Sequence, residues 1–267
     1  MALIRQTGKK LMGSAAILAV MVGFCGVGSM AHAQSQTPAS SSDLPFTESQ
    51  RGAMEDFVRN FILDNPEVLI ESVNRMHEKE QQQKEKEAKG ALDEHRQYLY
   101  EDKAVPEIGN PKGDITIIEF FDYNCGYCKR AYDVVNKTAE NDKNIKIRLI
   151  EFPILSPQSE TASKWALSAS KQGKYWEFHQ ELMSSPAPKT EENLAEMGKK
   201  LGLDVEKLKK DAEGEDIAKE LEKNKEVARS MGLSGTPAFI VGDEILRGFV
   251  EYEGFKAIIA DQRKKAK

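Results

Sequence analysis

Two cysteines three positions apart, Cys125 and Cys128, are the residues of this chain whose type and spacing best suit covalent chemistry. They directly follow a β-rich apolar run and stand where a helix is predicted to begin, so both sulfurs lie on one side of its first turn. The unpaired backbone N–H groups of that turn favour a thiolate on Cys125. Cys128, one turn deeper, is placed to attack a mixed disulfide formed on Cys125. Such a pair is sufficient for thiol–disulfide exchange.

Three other interpretations of the cysteine pair compete with exchange chemistry. Half of a zinc site needs two further ligands, and the four histidines of the chain show no paired ligand spacing. A structural disulfide would close a very short loop and constrain the unfolded chain little. Two unrelated free thiols fit poorly with the oxidising compartment that the N-terminus indicates. We predict neither a metal site nor a cofactor.

A carboxylate precedes the cysteines within a run otherwise suited to burial. Glu119 lies six residues before Cys125, and desolvation there would raise the pKa of its carboxyl. A raised pKa suits Glu119 to carry a proton to or from Cys128. The alternative is a strand-edge glutamate that faces water. Asp122, nearer the loop, is predicted to be solvated.

Thr236-Pro237 stands just before a predicted strand. A proline that enters a strand removes a hydrogen-bond donor from the sheet unless the local geometry is special. A cis Thr236–Pro237 bond would present the Thr236 backbone to a substrate strand beside the sulfurs. An ordinary turn proline is the alternative.

The N-terminus has the pattern of a cleavable signal peptide. Basic residues precede a charge-free apolar stretch over residues 11–30, and small residues flank the position of cleavage in the motif at 31–33. We therefore predict a signal peptide over residues 1–33 and a periplasmic protein. An uncleaved membrane anchor and a lipoprotein attached through Cys25 are the alternatives.

The composition is that of an acidic globular protein. The chain has 267 residues, of which 40% are apolar and 30% charged, and its formal net charge is −5. This composition allows a substantial core. Because there is no basic excess to neutralise phosphates, no nucleic-acid partner is predicted.

Residues 34–104 are predicted to form an N-terminal helical oligomerisation segment and a linker. Thr47 and Gln50 form a capping box at the start of a first amphipathic helix. Asn65 is predicted to cap a second helix. The apolar positions of the two helices make a stripe with no core nearby: Met54, Phe57, Val58, Phe61, Ile62, Leu69, Val73 and Met76. An exposed stripe of this kind indicates a partner surface, and we predict self-association.

A highly charged run follows the stripe. Residues 77–90 mix both signs of charge, and Ala88 is the sole apolar side chain among them. Oppositely charged pairs four residues apart support a helix here. The run is predicted to be a solvated helix or a flexible tether that cannot enter a core.

Residues 105–267 have the order of a thioredoxin fold interrupted by helices. Strands, a helix, a helical block and a terminal hairpin with its helix are predicted in this order: 115–121, 126–140, 145–152, about 157–232, 238–246 and a final helix. We therefore predict an α/β protein: a thioredoxin fold with an inserted helical domain, preceded by the N-terminal helical oligomerisation segment.

Three motifs in this region resemble the DsbA-like branch of periplasmic thiol–disulfide oxidoreductases. They are FFDYNCGYCK at residues 120–129, FPIL at 152–155 and GTPAF at 235–239. The resemblance implies that Cys125 is the nucleophile and that Cys128 resolves mixed disulfides. It also puts Glu119 in the place of the family's buried acid, and it implies a substrate-binding surface formed by Gly126, Tyr127, Thr236 and Pro237.

Two features are similar to the disulfide-shuffling members of this branch. Gly126-Tyr127 between the cysteines and Thr236 before the proline look like the DsbC-type isomerases, whereas the strongest oxidants carry Pro and His between their cysteines. The helical N-terminal extension is similar to the trimeric suppressor-of-copper-sensitivity C (ScsC) proteins. The resemblance implies a periplasmic protein disulfide isomerase or reductase that forms a homo-oligomer of three copies.

The resemblance also implies partners. These are unfolded or misoxidised secreted proteins as substrates and a membrane redox partner that maintains the thiol state. Two alternatives stay open: a dithiol oxidase that introduces disulfides, and a binding module, either a copper-binding protein using the two thiols or a holdase chaperone.

Overall fold

The computed structural model describes residues 46–265. The signal peptide predicted at residues 1–33 lies outside the described residues, as does the start of the predicted oligomerisation segment. The chain divides into two compact units, the first ending at Asn65 and the second beginning at Pro66. Within the described residues, no helix combines the length and the apolar character needed to cross a membrane.

The first unit contributes helix α1 (Glu48–Asp64). It begins with the predicted capping box: the Gln50 N–H donates to the Thr47 hydroxyl at 3.3 Å, and the Thr47 N–H donates to the Gln50 side chain at 2.9 Å. The prediction that Asn65 caps the next helix is wrong. The Asn65 amide instead donates to the Phe61 carbonyl at 2.8 Å and so closes the end of α1.

The second unit contains a five-stranded mixed sheet surrounded by helices. Its elements are α2 (Glu67–Glu94), α3 (Arg96–Glu101), β1 (Glu107–Gly109), β2 (Ile115–Phe121), α4 (Gly126–Asn141), β3 (Ile145–Glu151), α5 (Pro157–Ser170), α6 (Tyr175–Ser184), α7 (Glu191–Lys200), α8 (Val205–Ala212), α9 (Glu215–Ser230), β4 (Ala238–Val241), β5 (Glu244–Arg247) and α10 (Tyr252–Lys265). The strand order is β1-β3-β2-β4-β5. Strands β2 and β3 are parallel, and the other neighbouring pairs are antiparallel.

The order of elements agrees with the predicted strand, helix, strand, helical block, hairpin and final helix. β2 lies in the middle of the sheet and is buried along nearly its whole length, as expected for a strand that is apolar on both faces. The two-residue turn between β4 and β5 uses Gly242 at φ +61°, a conformation that favours glycine. β1 is an addition that the sequence did not predict, because three residues with the single apolar side chain of Ile108 carry little periodic signal.

The structure corrects the prediction for residues 77–90. α2 passes through this run as one exposed helix, but Ala88 is buried. Leu92 and, on α3, Leu99 are buried in the same apolar cluster, which also contains Ile240 of β4. The prediction that the run cannot enter a core is therefore wrong at its end. The last turns of α2 are packed on the α/β domain, so this end of the helix is not a free tether.

The predicted apolar stripe remains exposed in the single chain except at Ile62, which is half-buried. On α1 the exposed large apolar side chains include Met54, Phe57, Val58 and Phe61, and on α2 they include Val68, Leu69, Ile70, Val73 and Met76. No residue of α1 is buried. These side chains are large enough to supply a substantial apolar interface.

Candidate active site

The two cysteines occupy the first turn of α4, as predicted. Cys125 is the N-cap residue, and its sulfur accepts a hydrogen bond from the backbone N–H of Cys128 at 3.4 Å. Both residues are free thiols. Cys125 is 7% exposed, whereas Cys128 is completely enclosed. An external disulfide can therefore reach Cys125 before it reaches Cys128.

The surroundings of Cys125 favour its thiolate. A hydrogen bond from the Cys128 side chain is the largest cause that lowers the pKa of Cys125, and the neighbouring Thr236 side chain and hydrogen bonds from backbone N–H groups add to it. Burial acts in the opposite direction. The net result lowers the pKa of Cys125 to about 5. At neutral pH this sulfur is a thiolate, the nucleophilic form.

Cys128 and Glu119 form the enclosed half of the site. Burial, followed by the hydrogen bond to Cys125 and the charge of Glu119, raises the pKa of Cys128 far above its ordinary value. Glu119 is 2% exposed on β2, and its Oε1 has no hydrogen-bond partner. Burial and the charge of Cys125 raise the pKa of Glu119 to about 8. The burial expected of Glu119 is confirmed, and its carboxyl is poised to exchange a proton near neutral pH.

The Thr236–Pro237 peptide bond is cis, as predicted. The Cys125 thiol donates to the Thr236 carbonyl, with 3.3 Å between sulfur and oxygen. The Thr236 hydroxyl is buried and has no hydrogen-bond partner in this dithiol structure. It is therefore available to donate to a thiolate. The loop before β4 and the start of α4 thus meet at the nucleophilic sulfur.

Aromatic and apolar side chains surround the opening of the site. Tyr127, between the two cysteines, is 57% exposed. The Arg130 guanidinium lies 4.5 Å from the ring centroid of Phe249 and 5.5 Å from that of Tyr127. Ile154 and Leu155, in the loop after β3, are also exposed. Tyr127, Arg130 and Phe249 form an aromatic and cationic patch beside the cysteines.

Residues 116–260, more than half of the chain, match the model of the DSBA-like thioredoxin domain. The chain belongs to this family. Residues 50–83 match the model of the copper resistance protein ScsC N-terminal domain. The protein therefore joins a DsbA-like domain to an ScsC-type N-terminal segment, and it is a thiol–disulfide oxidoreductase. The predicted fold class and the resemblance to ScsC proteins are confirmed.

Three relatives illustrate the similarity. A thioredoxin-like oxidoreductase from Silicibacter pomeroyi is 37% identical, with a TM-score of 0.62, and the match covers 63% of this chain and 98% of that one. A linker-deletion mutant of ScsC from Proteus mirabilis is 27% identical over 84% of this chain and 99% of its own, with a TM-score of 0.62. Disulfide bond formation protein D of Bacillus subtilis is 24% identical over 175 residues, which make up 61% of this chain and 78% of that protein. The chain spans only 24% of the length of a matching Na(+)/H(+) antiporter from Salinispora arenicola.

The catalytic turn of this DsbA-like domain, residues 122–125, is held by the side chains of Asp122 and Asn124, neither of which was predicted to belong to the site. Asp122 is fully buried. Its carboxylate accepts hydrogen bonds from the N–H groups of Asn124 at 2.7 Å, Ile154 at 2.9 Å and Leu155 at 3.0 Å. The prediction that Asp122 is solvated is wrong because these three donors replace water. The Asp-x-Asn spacing, typical of an Asx turn, was the available signal.

Asn124 holds the other side of the turn. Its amide donates to the hydroxyls of Ser156 at 2.9 Å and Ser159 at 3.0 Å, both at the start of α5. The inserted helices therefore contact the catalytic turn directly. Within residues 46–265, no group of three or more His, Cys, Asp or Glu side chains converges in a way that could hold a metal ion.

Proposed function

We propose that this protein is a periplasmic protein disulfide isomerase or reductase that acts through Cys125 and Cys128. The contrast between the two thiols carries the proposal. The pKa of the accessible Cys125 thiol is lowered to about 5, whereas burial raises the pKa of the enclosed Cys128 far above its ordinary value. This contrast supports attack by Cys125 and resolution by Cys128.

The reaction begins when the Cys125 thiolate attacks one sulfur of a substrate disulfide. The substrate S–S bond breaks, one substrate sulfur leaves as a thiolate, and a mixed disulfide joins Cys125 to the other. In isomerisation, a second substrate thiolate attacks the mixed disulfide, a new substrate disulfide forms, and Cys125 is released with no net oxidation. In reduction, Cys128 attacks the Cys125 sulfur, which yields a Cys125–Cys128 disulfide and a substrate dithiol. A membrane redox partner then returns the pair to the dithiol.

Glu119 supports the resolving step. Cys128 must lose its proton before it attacks, and the enclosed site offers no bulk water to accept it. Glu119 is buried, its charge helps to raise the pKa of Cys128, and the charge of Cys125 helps to raise the pKa of Glu119. In the carboxylate form, Glu119 accepts the Cys128 proton as the new sulfur–sulfur bond forms.

The substrate binds as an extended segment beside Thr236. The Thr236 backbone and Pro237 provide an edge next to the nucleophile, and Gly126 and Tyr127 line the opposite side. Substrates of this kind are unfolded or misoxidised secreted proteins, because only a flexible segment can present its backbone to such an edge. The signal-like N-terminus supports a periplasmic location, where such disulfides form.

The exposed stripe supports assembly into a homo-oligomer. Apolar side chains on α1 and the first half of α2 are solvent-exposed in the single chain, and this region overlaps the ScsC-type match at residues 50–83. Burial between copies stabilises by roughly 25 cal/mol per Å² of apolar surface. Three copies is the number that the resemblance to ScsC favours. Several catalytic domains held together would raise the effective concentration of thiols around one substrate.

One observation favours a second candidate, a dithiol oxidase. A thiolate stabilised at Cys125 stabilises the reduced pair relative to the disulfide, and this makes the disulfide more oxidising. A turnover assay separates the two functions. An isomerase, supplied in dithiol form, restores activity to a scrambled multi-disulfide protein, whereas an oxidase acts on the fully reduced substrate and needs the disulfide form.

The same assay tests a binding module. A holdase chaperone would keep full activity when both cysteines are replaced by serine. A copper-binding protein would require both thiols but would not turn over either substrate. Loss of scrambled-substrate turnover in the double serine variant, with no loss of fold, is the result expected for the proposed enzyme.

A further inference from the structure

A buried polar network lies directly before the nucleophile in the chain. The hydroxyls of Tyr123 and Tyr175 each lie 2.8 Å from Oε1 of Glu151, and the Tyr123 oxygen lies 3.0 Å from Nδ1 of His179. All four residues are buried. Tyr123 is two positions before Cys125, Glu151 ends β3, and the other two belong to α6. The network therefore joins the catalytic turn to the sheet and to the inserted helices.

Burial sets the direction of these hydrogen bonds. It lowers the pKa of His179 to about 3, so the ring is neutral and its Nδ1–H can donate to the Tyr123 oxygen. Burial is also the main cause that raises the pKa of Tyr123 and Tyr175 well above the ordinary value, so both keep their protons. Both tyrosines then donate to Glu151. The result is a directed chain from His179 through Tyr123 to a carboxyl oxygen that Tyr175 also contacts, and such chains hold their members in fixed orientations.

Tyr123 is the member of this network that belongs to the same backbone turn as Cys125. It lies inside the turn closed by the hydrogen bond from the Cys125 N–H to the Asp122 carbonyl at 3.0 Å. The orientation of this turn decides whether the Cys125 sulfur stays within reach of the Cys128 N–H, 3.4 Å away, and of Thr236. Asp122 and Asn124 fix the turn toward the loop after β3 and toward α5, and Tyr123 fixes it toward α6.

We propose that Tyr123 is a positioning residue for disulfide exchange, whose hydroxyl, held between His179 and Glu151, keeps the Cys125 sulfur against its hydrogen-bond donors. This proposal rests on the proposed function, in which Cys125 is the nucleophile. The inserted helices accordingly do more than cover the sheet. They supply, through His179 and Tyr175, part of the frame that orients the catalytic turn.

Two matched variants test the proposal. Tyr123→Phe and Tyr175→Phe each remove one hydroxyl that bonds the same oxygen of Glu151 at the same distance. Both should lower thermal stability, because each leaves the buried network incomplete. Only Tyr123→Phe should displace the nucleophile. The readout is the pH dependence of Cys125 alkylation by iodoacetamide, measured well below the unfolding temperature on protein whose fold is verified by circular dichroism.

The expected midpoint for Tyr123→Phe lies about half a pH unit or more above that of the unmodified protein, so alkylation below the midpoint is about threefold slower. The midpoint for Tyr175→Phe should stay within about 0.2 unit of the unmodified protein. If the two variants have equal midpoints, whether shifted or not, the proposal is overturned. The network would then only anchor α6.

Tyr123→Phe removes the acceptor of the His179 N–H and can therefore fail to fold. A second pair of variants tests the proposal in that case. The double variant Tyr123→Phe/His179→Phe removes both partners of that hydrogen bond and is compared with His179→Phe alone. The double variant should show the same upward shift relative to the single one, and the absence of a shift overturns the proposal. Failure of the proposed function would give a different result: Cys125 of the unmodified protein would itself titrate like an ordinary thiol.

Discussion

The sulfur of Cys125 lies 3.3 Å from the carbonyl oxygen of Thr236, a residue 111 positions later in the chain. This contact brings the start of α4 and the loop before β4 together at one atom. A substrate segment that pairs with the Thr236 backbone would therefore carry its own sulfur past the nucleophile.

Replacement of Thr236 by valine should weaken the thiolate. Valine keeps the branched shape of threonine but lacks the buried hydroxyl, which has no partner in the dithiol structure and helps to lower the pKa of Cys125. We expect the pKa of Cys125 to rise by about 0.5–1 unit. Alkylation of Cys125 as a function of pH measures this shift. Thr236→Ser, which retains a hydroxyl, is the control and should titrate like the unmodified protein.

Serine variants of the two cysteines should show different defects in disulfide exchange. Cys125→Ser should abolish disulfide exchange, because the remaining thiol is enclosed and its pKa is raised. Cys128→Ser should accumulate mixed disulfides with substrates, since attack proceeds but resolution does not. Non-reducing gels of each variant after incubation with a scrambled substrate show the difference. A Cys128→Ser protein that forms no adducts would contradict the assignment of Cys125.

Reduced protein should lose stability relative to the disulfide form as the pH falls from 9 to 5. Folding lowers the pKa of Cys125 from 9.0 to about 5. For a group with a lowered pKa, the stabilisation is complete above the unfolded value and is lost as the pH falls through the folded value. The loss should be on the order of 2–5 kcal/mol. Denaturant unfolding of both redox forms at a series of pH values measures it, and a pH-independent difference would refute the assigned thiolate.

Glu119→Gln should slow resolution more than attack. The amide cannot accept the Cys128 proton, yet it occupies the same volume on β2. We expect the mixed disulfide on Cys125 to persist at least about tenfold longer, while the alkylation rate of Cys125 changes little. Rapid acid quenching after mixing with a model disulfide peptide gives both rates. An unchanged lifetime would remove Glu119 from the mechanism.

Charge placed on the exposed stripe should dissociate the oligomer. In the double variant Phe57→Glu/Phe61→Glu, two exposed phenylalanines of α1 are replaced by groups that resist burial. The protein should become a monomer that still reduces small disulfides but loses most isomerase activity. Gln82→Glu, on the exposed part of α2, is the control. Light scattering that finds the unmodified protein monomeric at micromolar concentration would contradict self-association.

The features that local sequence determines were predictable. The β-rich run into Glu119, the helical spacing of Cys125 and Cys128, and the proline at 237 each carry their signal within a few residues. The first two were sufficient to predict the strand and the helix start, whereas the proline left an ordinary turn open and the cis bond followed only from the resemblance to the DsbA-like family.

Features that depend on distant partners were not predictable. Whether Asp122 meets water or backbone donors depends on a loop about 30 residues later. The charge of its side chain alone therefore predicted a solvated residue. Ala88 looked isolated because the other members of its buried cluster come from distant parts of the chain, among them Ile118 of β2, Val227 of α9 and Ile240 of β4. The contact between Tyr123 and Glu151 depends on the parallel pairing of β2 with β3, which places Phe121 beside Glu151.

The thiol state of Cys125 and Cys128 in the cells that make the protein tests the central claim most directly. Acid quenching followed by alkylation with a thiol reagent of added mass separates dithiol from disulfide on a gel. A disulfide isomerase or reductase requires its nucleophile as a thiolate, so the account predicts that both cysteines are largely reduced. A pair found largely as the Cys125–Cys128 disulfide would contradict the account and assign the protein to the oxidases.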